Sequence, residues 1–350
     1  MSYTIAGKHI GRIGFGMGGF LHAHRQIPVD DAIATMKAAL EAGATFWNAG
    51  EIYGTPDYNT LHLLNAYFTR YPHDADKVFI SVKGCLDLKT AQLFVDKAGV
   101  KRSIDNCLRI LDGKCRIDLF EAARGGLDVP IEETVGAIAE YVKAGAVGSI
   151  GLSECSAASI RRAVAVHPIA AVEIELSLFA TDVFGNGVAD ACAELGIPLI
   201  AYSPLGKGIL TGQLRKPEDV PEGDYRRFFP RFQPEALEEN VKLVDEVKAV
   251  AERKGCTVAQ VAIAWVAARG KKLGVPVVPI PGATTVTRVR ENTAAAELTD
   301  GELKEIDGVL EKAEVKGGRA PFGFWSSTNL ELLALFTRLC RHLVPLPGTK

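Results

Sequence analysis

Eight short apolar segments, alternating with longer segments of helical periodicity, constrain the fold of this chain more than any other feature. They are rich in β-branched residues and span residues 12–15, 45–49, 78–82, 117–121, 147–152, 171–176, 198–202 and 275–280. Each is too apolar for a strand with one face in water. We therefore expect a parallel sheet that is buried on both sides.

The intervening segments have the periodicity of amphipathic helices. The clearest span residues 29–41, 131–143 and 157–166, and two consecutive helices are expected at 240–254 and 257–269. Eight strand–helix units close into a barrel more readily than into an open sheet. The sequence therefore predicts an α/β fold, a (β/α)₈ TIM barrel.

Three segments lie outside this alternation. Residues 3–10 predict an N-terminal β-hairpin over the barrel floor, and residues 329–344 predict a C-terminal helix on the barrel mouth or a neighbouring subunit. The charged and proline-rich residues 215–234 include three phenylalanines and one tyrosine, which favour an ordered loop on the catalytic face over a disordered one. We expect a single domain, 1–350, with a core of about 8–313 and a tail, 314–350.

The composition is that of an ordinary globular protein, with 47% apolar and 23% charged residues. A net charge of -2 argues against nucleic acid or an anionic membrane as a partner. The N-terminus lacks the apolar core of a secretory signal, and no stretch reaches the ~18–20 apolar residues that span a bilayer. We expect a cytoplasmic protein.

The cysteines and histidines give little sign of a metal centre. The seven cysteines form no CxxC pair and have no zinc-ligand spacing, which favours reduced thiols. Among the seven histidines, His22 and His24 form the one close pair, which we expect in the loop after the first strand. No metal site is predicted.

A tyrosine and a lysine follow neighbouring predicted strands, at the end where barrel enzymes place their catalytic groups. Tyr53 comes after the second strand, and Lys83 ends the third, in FISVKG. A phenol has an ordinary pKa of about 10, which a nearby ammonium lowers. Because a lysine in a buried strand is rare without a partner, this pair predicts a proton donor and its activating group.

A series of motifs in chain order resembles the aldo-keto reductases over roughly residues 8–313. The motifs are RIGFGMGGF, NAGEIYG, ISVKG, IDLFEAAR, GSIGLSE, VEIELSLF, AYSPLGKGILTG and VPIPGATTVTRVREN. The resemblance implies a barrel that binds NADPH at its C-terminal mouth and reduces a small-molecule carbonyl substrate by hydride transfer. The NAGEIYG segment and the Ala123–Arg124 pair are most similar to fungal pyridoxal reductases, which implies reduction of pyridoxal to pyridoxine.

The resemblance also assigns roles to individual residues. Tyr53 matches the family's proton donor, Lys83 the lysine that lowers its pKa, and Asn48 another catalytic position. Residues expected at the nicotinamide and pyrophosphate are Ser153, Glu154, Glu173, Tyr202, Ser203, Leu205, Lys207 and Gly208. Those expected at the adenosine end are Gly282, Thr284, Arg288, Glu291 and Asn292. The Arg288 guanidinium suits the 2′-phosphate through paired hydrogen bonds.

Two catalytic positions depart from the family's pattern. Asn48 stands in place of an aspartate, and Ala123 in place of a histidine. Asn48 offers no charge to balance Lys83, so we expect an uncompensated buried lysine with a lowered pKa, which would act more strongly on Tyr53. We expect the hydroxyl beside the pyridoxal aldehyde to replace the donor missing at Ala123.

Two alternatives remain open. A general aldehyde or ketone reductase would use the same groups on other carbonyls. An NADP-binding sensor or regulatory subunit with weak or no catalysis would account for Asn48 and Ala123, although Tyr53 and Lys83 favour an enzyme. The sequence leaves open the choice between NADPH and NADH, the direction of flux and self-association.

Overall fold

The computed structural model describes residues 2–22, 25–87, 92–126, 128–294 and 296–319. The predicted C-terminal helix at 329–344 and His24 lie outside the described residues. The β-strands, in chain order, are β1 (Ser2–Ile5), β2 (Lys8–Gly11), β3 (Phe15–Gly16), β4 (Leu21–His22), β5 (Arg25–Gln26), β6 (Phe46–Gly50), β7 (Phe79–Gly84), β8 (Leu86–Asp87), β9 (Gln92–Leu93), β10 (Leu119–Ala122), β11 (Ile150–Ser153), β12 (Ile169–Glu175), β13 (Leu199–Tyr202) and β14 (Val277–Pro279).

The α-helices alternate with the strands of the main sheet. In chain order they are α1 (Val29–Glu41), α2 (Thr60–Arg70), α3 (Lys97–Leu111), α4 (Ile131–Lys143), α5 (Ala157–Val166), α6 (Val188–Leu195), α7 (Pro234–Lys254), α8 (Val258–Leu273), α9 (Val286–Thr293) and α10 (Asp300–Lys312). The bounds predicted for α1, α4 and α5 are confirmed. Helix α7 begins one and a half turns before the predicted start, because Pro234 occupies the first helical position, which favours proline.

Eight strands form the main sheet, in the order β14, β13, β12, β11, β10, β7, β6 and β3. Neighbouring strands in this sheet are parallel. The two ends of the sheet meet, because Gly16 forms a parallel bridge with Gly282 and the Gly14 amide donates to the Pro279 carbonyl at 2.9 Å. The predicted (β/α)₈ barrel is confirmed.

The first barrel strand is shorter than the segment 12–15 that the sequence predicted. Strand β3 comprises only Phe15 and Gly16, since residues 12 and 13 form the bend that joins the hairpin to the barrel. Each of the other seven predicted strand segments overlaps a strand of the barrel.

The barrel floor is closed by the N-terminal hairpin of β1 and β2. Ile5 and Ile10 of the hairpin are buried in one cluster with apolar residues near the starts of the barrel strands: Phe46, Phe79, Leu119, Ala171, Ile200 and Val278. The rings of Phe46 and Phe79 stack with their centroids 5.2 Å apart. The predicted hairpin over the floor is confirmed, and the polar end of the barrel is the opposite one.

The loop at residues 215–234 is ordered, as its aromatic content predicted. It contains three short 3₁₀ turns, and Phe229 and Phe232 are buried. The Arg226 guanidinium donates to the Lys207 carbonyl at 3.0 Å, and the Lys207 ammonium lies 5.5 Å from the centre of the Phe229 ring. These contacts fix the loop, which we call the strap (residues 215–234), against the segment that follows β13.

Among the described residues, no helix is both long and apolar enough to cross a membrane. In the same part of the chain, no group of three His, Cys, Asp or Glu residues is arranged to hold a metal ion. The cysteines described there are free thiols. A cytoplasmic location stays a prediction.

A stability prediction follows from Gly84, the last residue of β7. A Cβ atom at this position would lie 2.2 Å from Ser103 Oγ and 2.7 Å from Phe120 Cζ. We expect Gly84→Ala to lower the free energy of unfolding by about 1–3 kcal/mol, as overpacking of a filled core does. Urea denaturation measures the change.

The matched control is Gly136→Ala, in the interior of α4, where a Cβ atom would meet nothing within 4 Å. There we expect an increase of about 0.5–1 kcal/mol, because alanine loses less conformational freedom in a helix than glycine does. A Gly84→Ala protein as stable as the control would contradict the packing described around β7.

Candidate active site

Tyr53, Lys83 and Asn48 come together at the polar end of the barrel, as predicted. Asn48 and Lys83 lie on the adjacent strands β6 and β7. The Lys83 ammonium donates to Asn48 Oδ1 at 3.0 Å, and it lies 5.8 Å from the centre of the Tyr53 ring. Lys83 is 3% exposed, whereas Tyr53 is half-buried. A buried ammonium therefore lies beside a phenol that is only half-buried.

The turn that carries Tyr53 depends on the glycines of the NAGEIYG segment. A Cβ atom at Gly50 would lie 3.0 Å from the Lys83 carbonyl oxygen. At Gly54, where φ is +126°, a Cβ atom would lie 2.5 Å from the Tyr58 carbonyl oxygen. The Tyr53 amide donates to the Gly50 carbonyl at 3.2 Å, and the Thr60 amide donates to the Tyr53 carbonyl at 3.0 Å. The tight turn aims Tyr53 back at Lys83.

Glu51, between these glycines, has a structural role. Its Oε1 accepts from the Cys85 amide at 3.1 Å and also from the Ser103 hydroxyl. Its Oε2 accepts from Asn106 Nδ2 at 3.0 Å. The side chain thus ties the end of β6 to β7 and to helix α3.

Two carboxyl groups surround the Lys83 ammonium. Glu173 Oε2 lies 2.5 Å from Lys83 Nζ and accepts from Asn48 Nδ2 at 2.8 Å. Glu121 Oε1 lies 3.1 Å from the same Nζ. The prediction of an uncompensated lysine was therefore wrong, because strands β10 and β12 supply the charge that Asn48 does not. Glu173, expected beside the nicotinamide, has its side chain directed to Lys83.

These charges change the expected pKa of both catalytic groups. Burial by itself lowers the pKa of Lys83, but the carboxyl groups of Glu121 and Glu173 outweigh it and raise the pKa above its ordinary value. Burial raises the pKa of Tyr53, and Lys83 offsets only part of that rise. The expected lowered pKa values were wrong for both groups. Tyr53 consequently keeps its proton at neutral pH, the state that a proton donor needs.

The residues predicted at the nicotinamide are already engaged with arginines. The Arg124 guanidinium donates to Ser153 Oγ at 3.2 Å. Glu154 Oε1 accepts from the Glu175 amide at 2.7 Å and from Arg319 Nη2 at 2.8 Å. Burial raises the pKa of Glu154, but the positive charges of Arg319 and Arg124 outweigh it and lower that pKa below its usual range.

Glu175 joins three cations from separate parts of the chain. Its carboxylate lies 2.6 Å from Lys207 Nζ, 3.2 Å from Arg319 Nε and 4.0 Å from Arg231 Nη1. Arg319 Nη2 also lies 3.5 Å from the Tyr202 hydroxyl. Glu175 therefore connects β12 with the strap, with the segment after β13 and with the segment after α10.

The segment after β13 has a backbone suited to close contact with an anion. Ser203 and Lys207 have φ values of 50° and 56°, in the left-handed region that non-glycine residues rarely adopt, and Gly208 has a φ of 105°. Successive left-handed residues form concave arrays of amide groups. Leu205 packs against the core and anchors the segment to the barrel.

The residues predicted at the adenosine end form a second group. Arg288 Nη1 donates to Glu291 Oε2 at 2.7 Å, and its Nη2 donates to Gln213 Oε1 at 2.6 Å, next to the strap. Asn292 is buried, with Nδ2 3.5 Å from the Gly282 carbonyl oxygen. Thr284 is half-buried and immediately precedes Thr285, the N-cap of α9. Thr284 and Arg288 lie at the N-terminus of α9, which favours anions, whereas Glu291 and Asn292 lie in its last turn.

Sequence reasoning missed Glu121, Glu175 and Arg319. The first two carried a usable signal, because a glutamate inside an apolar strand is rarely buried without a partner. The same argument had identified Lys83. Arg319 had no such signal, since it follows α10 in a polar segment whose position only the folded chain defines.

Comparison with known proteins agrees with this geometry. A model of the aldo/keto reductase family matches residues 12–311. The chain is 41% identical to "Probable pyridoxal reductase 2" of Schizosaccharomyces pombe over 324 residues, which cover 90% of this chain and 96% of that protein. It is 35% identical over 333 residues to another aldo-keto reductase of that yeast, whose name specifies NADP(+), with 91% and 94% of the two chains covered.

A solved structure has the same fold. The glycerol dehydrogenase of Gluconobacter oxydans superimposes with a TM-score of 0.76 at 24% identity, covering 89% of this chain and 95% of that one. Eight parallel strands, a tyrosine–lysine pair at their carboxyl ends and a family match along most of the chain agree with one another. The protein belongs to the aldo/keto reductase family.

Proposed function

We propose that the protein reduces pyridoxal to pyridoxine with NADPH, and that Tyr53 is the proton donor. The observation that carries this proposal is the position of the buried Lys83 ammonium beside Tyr53, 5.8 Å from the centre of its ring. The likeness to a protein named as a probable pyridoxal reductase, across nearly the whole of both chains, supports this choice of substrate.

The chemistry divides between the cofactor and the protein. NADPH, when bound, supplies the hydride that reaches the carbonyl carbon. Negative charge then develops on the carbonyl oxygen, where the Tyr53 hydroxyl stabilises it and donates its proton from about 2.6–3.2 Å. The Lys83 ammonium stabilises the phenolate that Tyr53 becomes. Because Lys83 is held by Glu173 and Asn48, its position does not depend on the substrate.

The donor set at the mouth fits a dinucleotide that carries phosphates. The left-handed residues Ser203, Lys207 and Gly208 suit the pyrophosphate, and Arg288 at the start of α9 suits a 2′-phosphate. Ser153 and Glu154, at the end of β11, are the proposed contacts to the nicotinamide.

Ala123 explains the preference for this aldehyde. It is buried just after β10 and presents only a methyl group where the resemblance implies a histidine. Pyridoxal carries a hydroxyl next to its aldehyde, which hydrogen-bonds the carbonyl oxygen from within the molecule. The substrate thereby supplies the donor that the protein lacks.

The first test is replacement of the proposed proton donor. We expect Tyr53→Phe to lower kcat for pyridoxal by about 10²–10⁴-fold, the usual contribution of a general acid, while NADPH binding persists. Absorbance of NADPH measures turnover, and its fluorescence measures binding.

Tyr141→Phe is the matched control, because the Tyr141 hydroxyl bonds Asp105 in the outer helical layer at 2.6 Å. It should turn over like the wild type. Faster reduction of simple aldehydes than of pyridoxal would favour a general reductase. Tight NADPH binding without turnover of any carbonyl would contradict the proposal and favour a sensor.

The second test concerns the substrate hydroxyl. We expect 3-deoxypyridoxal to be reduced about tenfold or more slowly than pyridoxal in kcat/KM, because it lacks the internal hydrogen bond to the carbonyl oxygen. Equal rates for the two aldehydes would show that the substrate hydroxyl does not replace the donor that is missing at Ala123.

The third test concerns the cofactor phosphate. We expect Arg288→Ala to raise the Kd for NADPH by about 10- to 100-fold, the size of a charge-assisted hydrogen bond, with little effect on NADH. Fluorescence titration with both cofactors measures the change. Arg290→Ala, an exposed arginine of the same helix, is the control and should leave the ratio of the two Kd values unchanged. A parallel loss of NADPH and NADH binding in Arg288→Ala would argue against recognition of the phosphate.

A further inference from the structure

The buried cluster below Tyr53 contains two carboxyl groups and one ammonium. Glu121 is 1% exposed and Glu173 is 2% exposed, and oxygens of both lie within 3.1 Å of Lys83 Nζ. Among the described residues, Glu121 Oε1 is buried without a hydrogen-bond partner, whereas Glu173 Oε2 also accepts from Asn48 Nδ2 at 2.8 Å. Two buried carboxyl groups thus face a single ammonium, which balances only one negative charge.

Within the described part of the chain, Lys83 is the one cation within ion-pair distance of Glu121. Glu173 on β12, Tyr53 after β6 and Cys155 after β11 also interact with Glu121, and Arg124, which interacts with Cys155, donates to Ser153 Oγ at 3.2 Å. Burial raises the pKa of the Cys155 thiol to about 12, so this group is neutral at physiological pH. Two ionised carboxylates here would leave one buried negative charge unpaired, which is costly in a protein interior.

We propose that Glu121 is a positioning residue that shares one proton with Glu173, so that the two carboxyl groups together carry a single negative charge against Lys83. The cluster of Glu121, Glu173 and Lys83 is then neutral. Glu173 lies closer to the ammonium and also accepts from Asn48, so it holds the larger part of the negative charge. Burial raises the pKa of Glu121 well above its usual range, and Lys83 offsets this only in part.

The shared proton affects how readily Tyr53 donates its own proton. This consequence rests on the proposed function. Both carboxyl groups raise the pKa of Tyr53 when they are ionised, and Lys83 lowers it. Loss of the shared proton at alkaline pH adds a negative charge beside Tyr53 and makes its proton harder to donate. The neutral state of the cluster supports reduction. This state is present below the pKa of the shared proton and is lost as the pH rises through that pKa.

The proposal predicts that either carboxyl group can serve alone. Glu121→Gln leaves Glu173 ionised against Lys83, and Glu173→Gln leaves Glu121 to ionise in its place. We expect each single variant to lower kcat/KM for pyridoxal by about tenfold or less, the size of one hydrogen bond. The double variant leaves Lys83 without a carboxylate, and its loss should exceed the product of the single losses by about tenfold or more. Both single variants should also lose the decline in kcat/KM that the shared proton causes at alkaline pH.

Glu51→Gln provides the matched control, because Glu51 is a neighbouring glutamate that accepts only from structural donors around α3. Combined with Glu173→Gln, it should give losses that simply multiply. A merely structural Glu121 would behave in the same way as Glu51.

Infrared difference spectroscopy tests the proton without any turnover. The carbonyl stretch of a protonated carboxylic acid should be present at neutral pH in the wild type and in Glu51→Gln, and absent from both Glu121→Gln and Glu173→Gln. Absence of this band from the wild type, or its persistence in both single variants, would overturn the proposal. If the band behaves as expected in a protein that reduces no carbonyl, the shared proton stands and the proposed function fails.

Discussion

The arrangement of the active site depends on burying one ammonium group at the polar end of a barrel. Lys83 is the penultimate residue of β7, whose residues are all buried, so an unpaired charge there would be strongly destabilising. Three other strands surround it: Glu121 from β10 and Glu173 from β12 supply negative charge, and Asn48 from β6 accepts a hydrogen bond. Strands β6 and β10 are the neighbours of β7 in the sheet, whereas β12 lies further along it, so Glu173 reaches the same atom from across the curved barrel.

In this arrangement, the negative charge that pairs with Lys83 comes from a position other than the one that the family resemblance implies. The resemblance to the aldo-keto reductases implies a carboxylate at position 48, and the chain has an amide there. The negative charge is supplied instead from across the barrel by Glu173, with the Asn48 amide donating to it at 2.8 Å. The tyrosine–lysine pair therefore keeps its contact although its supporting residues differ. For the electrostatic balance of this closed barrel, the total charge around the lysine matters more than which strand carries each charge.

A second ionic layer lies nearer to the mouth. Glu175 pairs there with Lys207, Arg319 and Arg231, and Arg319 also pairs with Glu154. These contacts join the strap and the segment after α10 to the barrel. The ion pairs at the mouth thus hold these two segments next to the proposed cofactor site.

The sequence predicted the local elements well because their signals are local. Apolar runs and helical periodicity located the eight barrel strands, and the bounds of α1, α4 and α5 agree with the structure. The aromatic residues of the strap predicted its order. The first barrel strand was placed too early, since the bend at residues 12 and 13 is defined by the packing of the hairpin under the barrel.

The sequence by itself also determined which groups are available for chemistry: a tyrosine and a lysine at neighbouring strand ends, and Arg288, which the family resemblance identified. Only the tertiary structure decided their electrostatics. Glu121 and Glu173 are 38 and 90 positions from Lys83 along the chain, yet both contact its ammonium. Because a pKa depends on burial and on charges within a few ångströms, the lysine expected to be uncompensated has a raised pKa instead.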